Sequence, residues 1–252
     1  MTLITLRSRE EIVQARKMLR VEGLSCEPQG VTGLFFRMGL RSTAALGGWL
    51  KSWDVQKTAE FASENLQKEQ PLLDIGAYAS EILCVLSKMG FEHLNGIDLN
   101  PDLDAAASKT GFQSRIADYY DSGYPDRSFR AVTAISVIEH GFRETPLCRE
   151  VSRLLVPGGY FVASFDYWPE KLDTSDVSLF GMDWRIFSKE DVRSLLKTAA
   201  DHGLSPVGNV DLDAVTPVVQ WAGRSYTFAW MALRKKLTGV TVQSANPDGR
   251  FG

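Results

Sequence analysis

An alternation of short apolar runs with amphipathic segments constrains this chain more than any other feature of its sequence. Residues 71–76 form an apolar run that stops at an acid and a glycine, and residues 81–89 follow with apolar side chains at helical spacing. The same patterns predict further strands at residues 93–98, 112–117, 129–136, 158–165, 206–212 and 224–234, and helices at 101–110, 144–155 and 188–202. This order predicts a doubly wound α/β fold whose sheet is mostly parallel and whose last two strands are antiparallel.

The segment before the first predicted strand has a different character. Two helices are predicted there, at residues 8–20 and 49–67, and Ser8 and Glu11 have the spacing of a capping box. Between them lies a glycine-rich stretch with scattered apolar residues, which indicates irregular structure or a lid. We therefore expect three parts: an N-terminal helical extension with a possible lid at residues 1–70, an α/β domain at 71–236 and a C-terminal tail at 237–252.

The carboxyl ends of the strands are where doubly wound sheets bind ligands. The first predicted strand ends at Asp74 and Gly76, and a glycine at this point permits a tight turn and a close approach of ligand to backbone. A plain strand-to-helix turn would have the same sequence. The dinucleotide fingerprint GxGxxG is absent, because Tyr78 and Ser80 stand where further glycines are expected, so a pyrophosphate has less reason to bind here.

Acids follow the second and third predicted strands. Asp98 ends the second strand, where a carboxylate can accept from both hydroxyls of a ribose. It could equally cap the helix that begins near Pro101. Asp118 follows the third strand and could accept from an exocyclic amine such as that of adenine, or it could be an ordinary acid of a turn.

A titratable pair, Glu139 and His140, follows the fourth predicted strand, and Pro157-Gly158-Gly159 forms the turn before the fifth. In this order the strand ends resemble those of the class I S-adenosylmethionine-dependent methyltransferases over residues 72–165. The resemblance implies a seven-stranded sheet of order 3-2-1-4-5-7-6 with helices on both faces, and S-adenosyl-L-methionine as cofactor. It implies a cofactor site made of Asp74, Gly76, Ala77, Tyr78, Ser80, Asp98, Leu99, Asp118, Tyr119 and Ser136.

Methyl transfer to a hydroxyl requires an in-line approach of the nucleophile and the removal of a proton. Histidine suits the proton transfer because its pKa lies near neutrality, and the chain contains three histidines. Only His140 follows the carboxyl end of a predicted strand. We predict His140 as general base or substrate-orienting residue, with Glu139 as the alternative; simple packing of His140 beside the cofactor is the competing interpretation.

The connection at residues 166–187 is long, and long connections at this edge are commonly lids or substrate walls. Asp166 and Tyr167 could contact an acceptor hydroxyl, and Trp184 could stack on the acceptor or fasten the connection to the core. The carboxylates of this connection could hold a divalent ion beside an acceptor diol, but their spacing is not diagnostic, and no metal is predicted. Aromatic residues that could form the opposite wall, or belong to the core instead, are Phe35, Phe36, Trp49 and Trp53.

Composition limits the classes of binding partner and the cellular compartment that we expect for this chain. The formal charge is −3, from 28 Lys and Arg against 31 Asp and Glu, which excludes a polybasic nucleic-acid arm as the main feature. We expect a small-molecule substrate, no nucleic acid and no membrane span, since no stretch approaches about 20 apolar residues. The cysteines at positions 26, 84 and 148 are odd in number and widely spaced, which argues against a disulfide framework or a zinc site. A reducing, cytoplasmic setting is the expectation.

The sequence thus predicts a methyltransferase that acts on a small polar acceptor, first of all the hydroxyl of a sugar or natural-product intermediate. This substrate class is ranked first because residues 52–58 and 183–188 loosely resemble bacterial methyltransferases of polysaccharide and secondary-metabolite pathways. Two alternatives stay open. One is a nicotinamide-dependent reductase, which the missing GxGxxG disfavours. The other is a partner subunit that binds the cofactor without turnover.

Overall fold

The computed structural model describes residues 3–27 and 48–237. Its helices are α1 (Arg9–Val21), α2 (Ser52–Asn65), α3 (Ile82–Lys88), α4 (Leu103–Thr110), α5 (Glu144–Leu154) and α6 (Lys189–Asp201). Its strands are β1 (Leu3–Thr5), β2 (Leu72–Ile75), β3 (Leu94–Asp98), β4 (Gln113–Ile116), β5 (Phe129–Ile135), β6 (Leu155–Tyr167), β7 (Ser178–Leu179), β8 (Met182–Asp183), β9 (Leu204–Pro206), β10 (Val219–Trp221) and β11 (Arg224–Lys235). The possible lid with Phe35 and Phe36, and residues 238–252 of the expected tail, lie outside the described residues. No helix in the described ranges is both long and apolar enough to cross a membrane.

The central sheet confirms the predicted architecture. Strands β4, β3, β2, β5 and β6 lie side by side in that order and run parallel, and β11 pairs antiparallel with β6. The strand order differs in detail from the expected 3-2-1-4-5-7-6, because β9, at the place of the sixth predicted strand, shares the far edge of β11 with β1. The structure adds antiparallel strands that were not predicted: β1 and β10, which both pair with β11, and the β7–β8 hairpin.

The sixth predicted strand is displaced, and the N-terminal strand explains why. The strand predicted at residues 206–212 is wrong in position along the chain, because β9 ends at Pro206, where that range begins. Beyond it, residues 209–211 bond to β1 instead of β11: the amide of Leu3 donates to the Asn209 carbonyl, and the amide of Asp211 donates to the Leu3 carbonyl. Strands β1 and β9 therefore share one edge of β11, which leaves each of them three residues of pairing.

Helices cover both faces of the sheet, as predicted. Successive residues of a strand point to opposite faces, so Leu72 and Leu73 of β2 enter different clusters of buried residues. The cluster around Leu72 receives apolar side chains from α1 to α4, and the cluster around Leu73 receives those of α5 and α6. Side-chain caps are present at two of the described helix starts: Ser8 caps α1, and Ser188 and Asp191 form the capping box expected at the start of α6.

A disulfide joins Cys26 to Cys84, which are 58 residues apart. The expectation against disulfide bonding is therefore wrong for this pair, whereas Cys148 is a free, buried thiol. The spacing of the cysteines carries no sign of the pairing, because the fold alone brings the segment after α1 beside α3. The bond ties the N-terminal extension to the helix that follows the glycine turn at the end of β2.

Candidate functional site

A cavity of about 650 Å³ opens at the carboxyl ends of β2, β3 and β5. The predicted site residues in its lining are Gly76, Tyr78, Ser80, Asp98, Leu99, Tyr119, Ser136 and His140. The lining also contains Lys51, Asn100 and Met182, which sequence reasoning did not single out. The structure therefore gathers most of the predicted residues around one space.

Gly76 makes the turn that brings the end of β2 against the segment after β5. Its φ of 76° lies in the left-handed region, and its amide donates to the Ile97 carbonyl at 2.9 Å. A Cβ at this position would lie 2.2 Å from Cγ2 of Val137, so a side chain has no room. Glycine is required here by backbone conformation and by close packing at once.

Asp98 is held at the cavity by two backbone amides. Its Oδ2 accepts from the amide of Tyr78 at 3.1 Å, and its Oδ1 accepts from the amide of Asn100 at 2.9 Å. It does not cap α4, whose N-cap residue is Asp102. A carboxylate has about four acceptor positions, so Asp98 can still accept from ligand hydroxyls. Leu99 beside it is 57% exposed and gives this end of the cavity an apolar wall.

Asp74 lies beneath the glycine turn and outside the cavity lining. It is fully buried, and Oγ1 of Thr133 donates to its Oδ1 at 2.5 Å, which joins β2 to β5. Burial raises the pKa of Asp74 to about 7. Ala77 is also buried and does not line the cavity. Asp74 and Ala77 therefore pack on the buried side of the turn at Gly76 and do not face the cavity.

Asp118 behaves as the acid of a turn, which was the alternative given for it. Its Oδ1 accepts from the amide of Tyr120 at 2.9 Å, and Arg143 lies 3.7 Å from Oδ2. The side chain is half-exposed and outside the cavity lining, whereas its neighbours Ala117 and Tyr119 line the cavity. The cavity lining next to β4 is therefore formed by Ala117 and Tyr119 and not by Asp118.

His140 lies in the cavity wall, edge-on to the ring of Phe180 with ring centres 5.5 Å apart. Burial, followed by the positive charge of Lys51, lowers the pKa of His140 to about 4, so its imidazole is neutral at pH 7. Its Nδ1 has no hydrogen-bond partner among the described residues. Glu139 is buried behind the wall, and burial together with Asp166 raises the pKa of Glu139 well above its usual range.

Lys51 enters the site from the 3₁₀ turn Trp49–Lys51, just before α2. Its Nζ donates to Oγ of Ser136 at 2.5 Å and lies 3.7 Å from the centre of the Phe228 ring. Oδ1 of Asp166 is 3.9 Å away. No motif in the sequence marks Lys51, because Ser136 is 85 residues further along the chain.

Asp54, on the first turn of α2, is the buried partner of this group. Its Oδ2 accepts from Oγ of Ser164 at 2.9 Å and from Oγ of Ser136 at 3.3 Å. Burial raises the pKa of Asp54 to about 6. Ser136 itself has a φ of 52°, a strained conformation for a residue with a side chain, and such strain is often found at functional sites.

The predicted acceptor contacts need correction. Successive residues of β6 point to opposite faces, so Asp166 faces Lys51 while Tyr167 is buried on the other face and donates to the Leu212 carbonyl at 2.6 Å. Trp184 is buried too, and its Nε1 donates to Oδ2 of Asp166 at 2.8 Å. Tyr167 and Trp184 therefore do not line the cavity, and Asp166 acts from behind Lys51.

The aromatic wall expected from the extension is not found in the described residues. Trp53 is 2% exposed and belongs to the core, and Trp49 is half-exposed but outside the cavity lining. In residues 3–27 and 48–237, no group of three or more His, Cys, Asp or Glu side chains is arranged to hold a metal ion. In the long connection, Asp176 pairs with Arg224 instead.

Comparisons with known proteins agree with this geometry. Residues 73–163 match the family model described as a methyltransferase domain. A SAM-dependent methyltransferase from Methanosarcina mazei has 16% identity and a TM-score of 0.55, with 71% of this chain and 98% of that chain covered. Geranyl diphosphate C-methyltransferase from Streptomyces coelicolor has 19% identity and a TM-score of 0.56, with 71% and 80% covered.

A third similar structure, the [4+2]-cyclase SpnF, has 14% identity and a TM-score of 0.56, with 94% of this chain and 99% of that chain covered. No curated protein matches the sequence significantly. At these identities the solved structures support the fold alone, and the family match indicates a methyltransferase domain over residues 73–163.

Proposed function

Because residues 73–163 match the family model of a methyltransferase domain, we propose that this chain is a class I S-adenosylmethionine-dependent methyltransferase. We propose that it takes S-adenosyl-L-methionine as its cofactor and methylates the hydroxyl of a small polar acceptor. The acceptor class that we favour is a sugar or a natural-product intermediate. The family match also favours this reaction over that of a nicotinamide-dependent reductase. The observation that carries the proposal is a neutral histidine, His140, in the wall of the cavity.

The described residues fit the cofactor. The turn at Gly76 has no side chain that would obstruct a ligand, and Asp98 keeps acceptor positions for a ribose diol. Leu99 and Ile97 offer apolar contact at the same end of the cavity, where a purine ring would pack. We propose that the remaining predicted cofactor residues in the lining, Tyr78, Ser80, Tyr119 and Ser136, contact the cofactor, and that Asp74 and Ala77 support the turn.

The cofactor supplies a methyl group that a sulfonium has already activated. A hydroxyl acceptor would form its bond to that carbon as the sulfur–carbon bond breaks, and a residue of this chain would have to accept the hydroxyl proton. A neutral imidazole has one nitrogen with a free lone pair, so we assign the proton to His140. Burial raises the pKa of Glu139 well above its usual range, and we assign this residue to positioning His140 from behind.

The acceptor side of the cavity has an apolar rim. Phe180 is 84% exposed at the tip of the β7–β8 hairpin, and Met182 lies beside it in the lining. An exposed aromatic ring at a cavity mouth is suited to stack on a sugar or planar ring. This rim favours an acceptor that carries its hydroxyl on a ring.

A methyl-transfer assay tests the proposal. The protein is incubated with S-adenosylmethionine labelled in the methyl group and with a panel of ring hydroxyl, amine and activated-carbon acceptors, and the products are identified by mass spectrometry. We expect label in hydroxyl acceptors. His140→Ala should lower kcat about 100-fold or more, while His93→Ala, which replaces a histidine outside the cavity lining, should not.

Label found only on nitrogen or carbon would overturn the choice of acceptor. A His140→Ala variant whose kcat stays within a few-fold of wild type would remove the base assignment. Binding of the cofactor without any turnover across the panel would favour the inactive partner subunit.

A further inference from the structure

Lys51 is the only lysine or arginine in the cavity lining formed by the described residues. It lies in the N-terminal extension, before the residues that match the methyltransferase domain. Its side chain is about one-third exposed, at 32%, and its ammonium is therefore accessible from the cavity. The only carboxylate in the same lining is Asp98, so the cavity carries one cation and one anion.

The ammonium of Lys51 has hydrogen-bonding capacity to spare. It has three N–H donors, and among the described residues it makes one hydrogen bond, to Oγ of Ser136. Oδ1 of Asp166 lies at 3.9 Å, beyond hydrogen-bond distance, and the Phe228 ring offers no acceptor atom in its plane. An anionic group in the cavity could therefore bind Nζ without displacing a strong partner.

The turn that carries Lys51 is clamped on both sides by a buried arginine. Nε of Arg16 donates to Oγ of Ser52 at 2.8 Å, and one of its terminal nitrogens donates to the Gly48 carbonyl at 3.3 Å. The same guanidinium makes two hydrogen bonds of 2.7 Å with the carboxylate of Glu81, just before α3. The backbone that carries Lys51 is thus fixed relative to the start of α3, which lowers the entropic cost of binding a ligand at this residue.

The positions of the two charges match the two polar ends of one ligand. Asp98 ends β3, and Ser136, which holds Lys51, follows β5. Strand β2 lies between them, so two strand spacings, about 10 Å, separate the ends. In S-adenosylmethionine, the ribose hydroxyls and the amino-acid carboxylate lie at opposite ends of a chain that runs through the sulfonium sulfur.

We propose that Lys51 binds the carboxylate of S-adenosylmethionine, so that the N-terminal extension completes the cofactor site of the methyltransferase domain. This inference rests on the cofactor use on which the proposed function is built, and it is independent of which acceptor is methylated. It assigns a binding role to a segment that lies outside the matched domain.

Titration calorimetry with two ligands tests the assignment. The first ligand is S-adenosylhomocysteine, and the second is the same molecule without its carboxylate, 5′-deoxy-5′-(3-aminopropylthio)adenosine. We expect Lys51→Met to weaken the first ligand about 10- to 100-fold, the range for a charge-assisted hydrogen bond, and to change the second less than about 3-fold. Lys51→Arg should keep most of the preference for the carboxylate. Lys57→Met, which removes an exposed lysine of α2 paired with Glu60, should leave both affinities unchanged.

Each other outcome would overturn the inference. If Lys51→Met keeps the full preference for the carboxylate, Lys51 does not bind it. If the variant loses affinity for both ligands alike, Lys51 supports the cavity as a whole and does not recognise the carboxylate. If the wild-type protein binds neither ligand, the cofactor assignment itself fails, whereas a wrong acceptor would leave all these affinities intact and be detected only in the methyl-transfer assay.

Discussion

The two ends of the cavity are built by different means. At one end Asp98 is fixed by two backbone amides, that of Asn100 two residues ahead and that of Tyr78 in the turn after the adjacent strand β2. Its position therefore depends on the local chain and on the end of one neighbouring strand. At the other end Lys51 and Asp54 are held by Ser136, Ser164 and Asp166, more than 80 residues away along the chain. A motif can therefore specify the first end, whereas the second exists only once the tertiary structure has formed.

If this contrast is correct, the end of the cavity that the N-terminal extension builds should depend on a few buried long-range contacts, and removing one of them should lower the free energy of unfolding strongly. Glu81→Gln removes the close counter-charge of the buried Arg16 and leaves only Glu27, 3.9 Å from its Nε, and we expect a loss of about 3–5 kcal/mol in the free energy of unfolding. The matched control is Glu60→Gln, which removes an exposed pair with Lys57 and should cost less than about 1 kcal/mol. Urea unfolding measures both. Equal effects of the two substitutions would show that the buried pair does not hold the extension.

The disulfide gives a second test of the same end. Cys26→Ser should lower the free energy of unfolding by about 2–4 kcal/mol, because the unfolded chain loses a cross-link. Dithiothreitol should destabilise the wild type similarly and leave the variant unaffected. A thiol count of three in the unreduced protein would contradict the bond. Since the cytosol reduces most disulfides, the count in protein taken from cells also tests the predicted cytoplasmic setting.

Two aspartates test the end of the cavity that is built locally: Asp98 lines the cavity, and Asp118 lies outside its lining. Asp98→Asn should weaken binding of S-adenosylhomocysteine by about 1.5–3 kcal/mol, because its carboxylate faces the cavity. Asp118→Asn should change the affinity less than about 3-fold, because Asp118 lies outside the lining. Titration calorimetry compares them. The reverse ranking would return Asp118 to the adenine role that the family resemblance implies.

The smallest expected effect is a change in pH dependence. The carboxyl of Asp74 has a pKa of about 7 in the folded protein against 3.8 as its ordinary value, so the folded state holds an extra proton between those values. The stability that this proton contributes is present at low pH and is lost as the pH rises through 7, by about 1.4 kcal/mol between pH 6 and pH 8.

Asp74→Asn should remove that slope in unfolding experiments. Asp54→Asn, at the other end, should flatten the curve at lower pH, because the pKa of Asp54 is about 6. Parallel curves for wild type and Asp74→Asn between pH 6 and pH 8 would contradict the assignment.

The sequence predicts what local chemistry determines. Asp98 was found because it ends an apolar run, and the caps at Ser8 and Ser188 were found because each is bonded to a residue three positions ahead. The strand order followed from the resemblance and from the alternation of elements. These features depend on neighbours along the chain or on the rules of parallel sheets.

Features that depend on distant contacts were missed. The strand Leu3–Thr5 is too short to show a period, and it is a strand only because β11 pairs with it. Tyr167 was assigned to the acceptor because periodicity predicts alternation of faces without saying which face carries the site. Lys51 belongs to no motif, and its role depends on the burial of Arg16 beneath its turn.

A crystal structure of the complex with S-adenosylhomocysteine tests the central claim most directly, namely that one cofactor spans both ends of the cavity. We predict that the ribose hydroxyls lie within hydrogen-bond distance of the Asp98 carboxylate and that the amino-acid carboxylate lies against Nζ of Lys51. A ligand bound in the reverse direction, or bound outside the cavity between Asp98 and Ser136, would contradict the account.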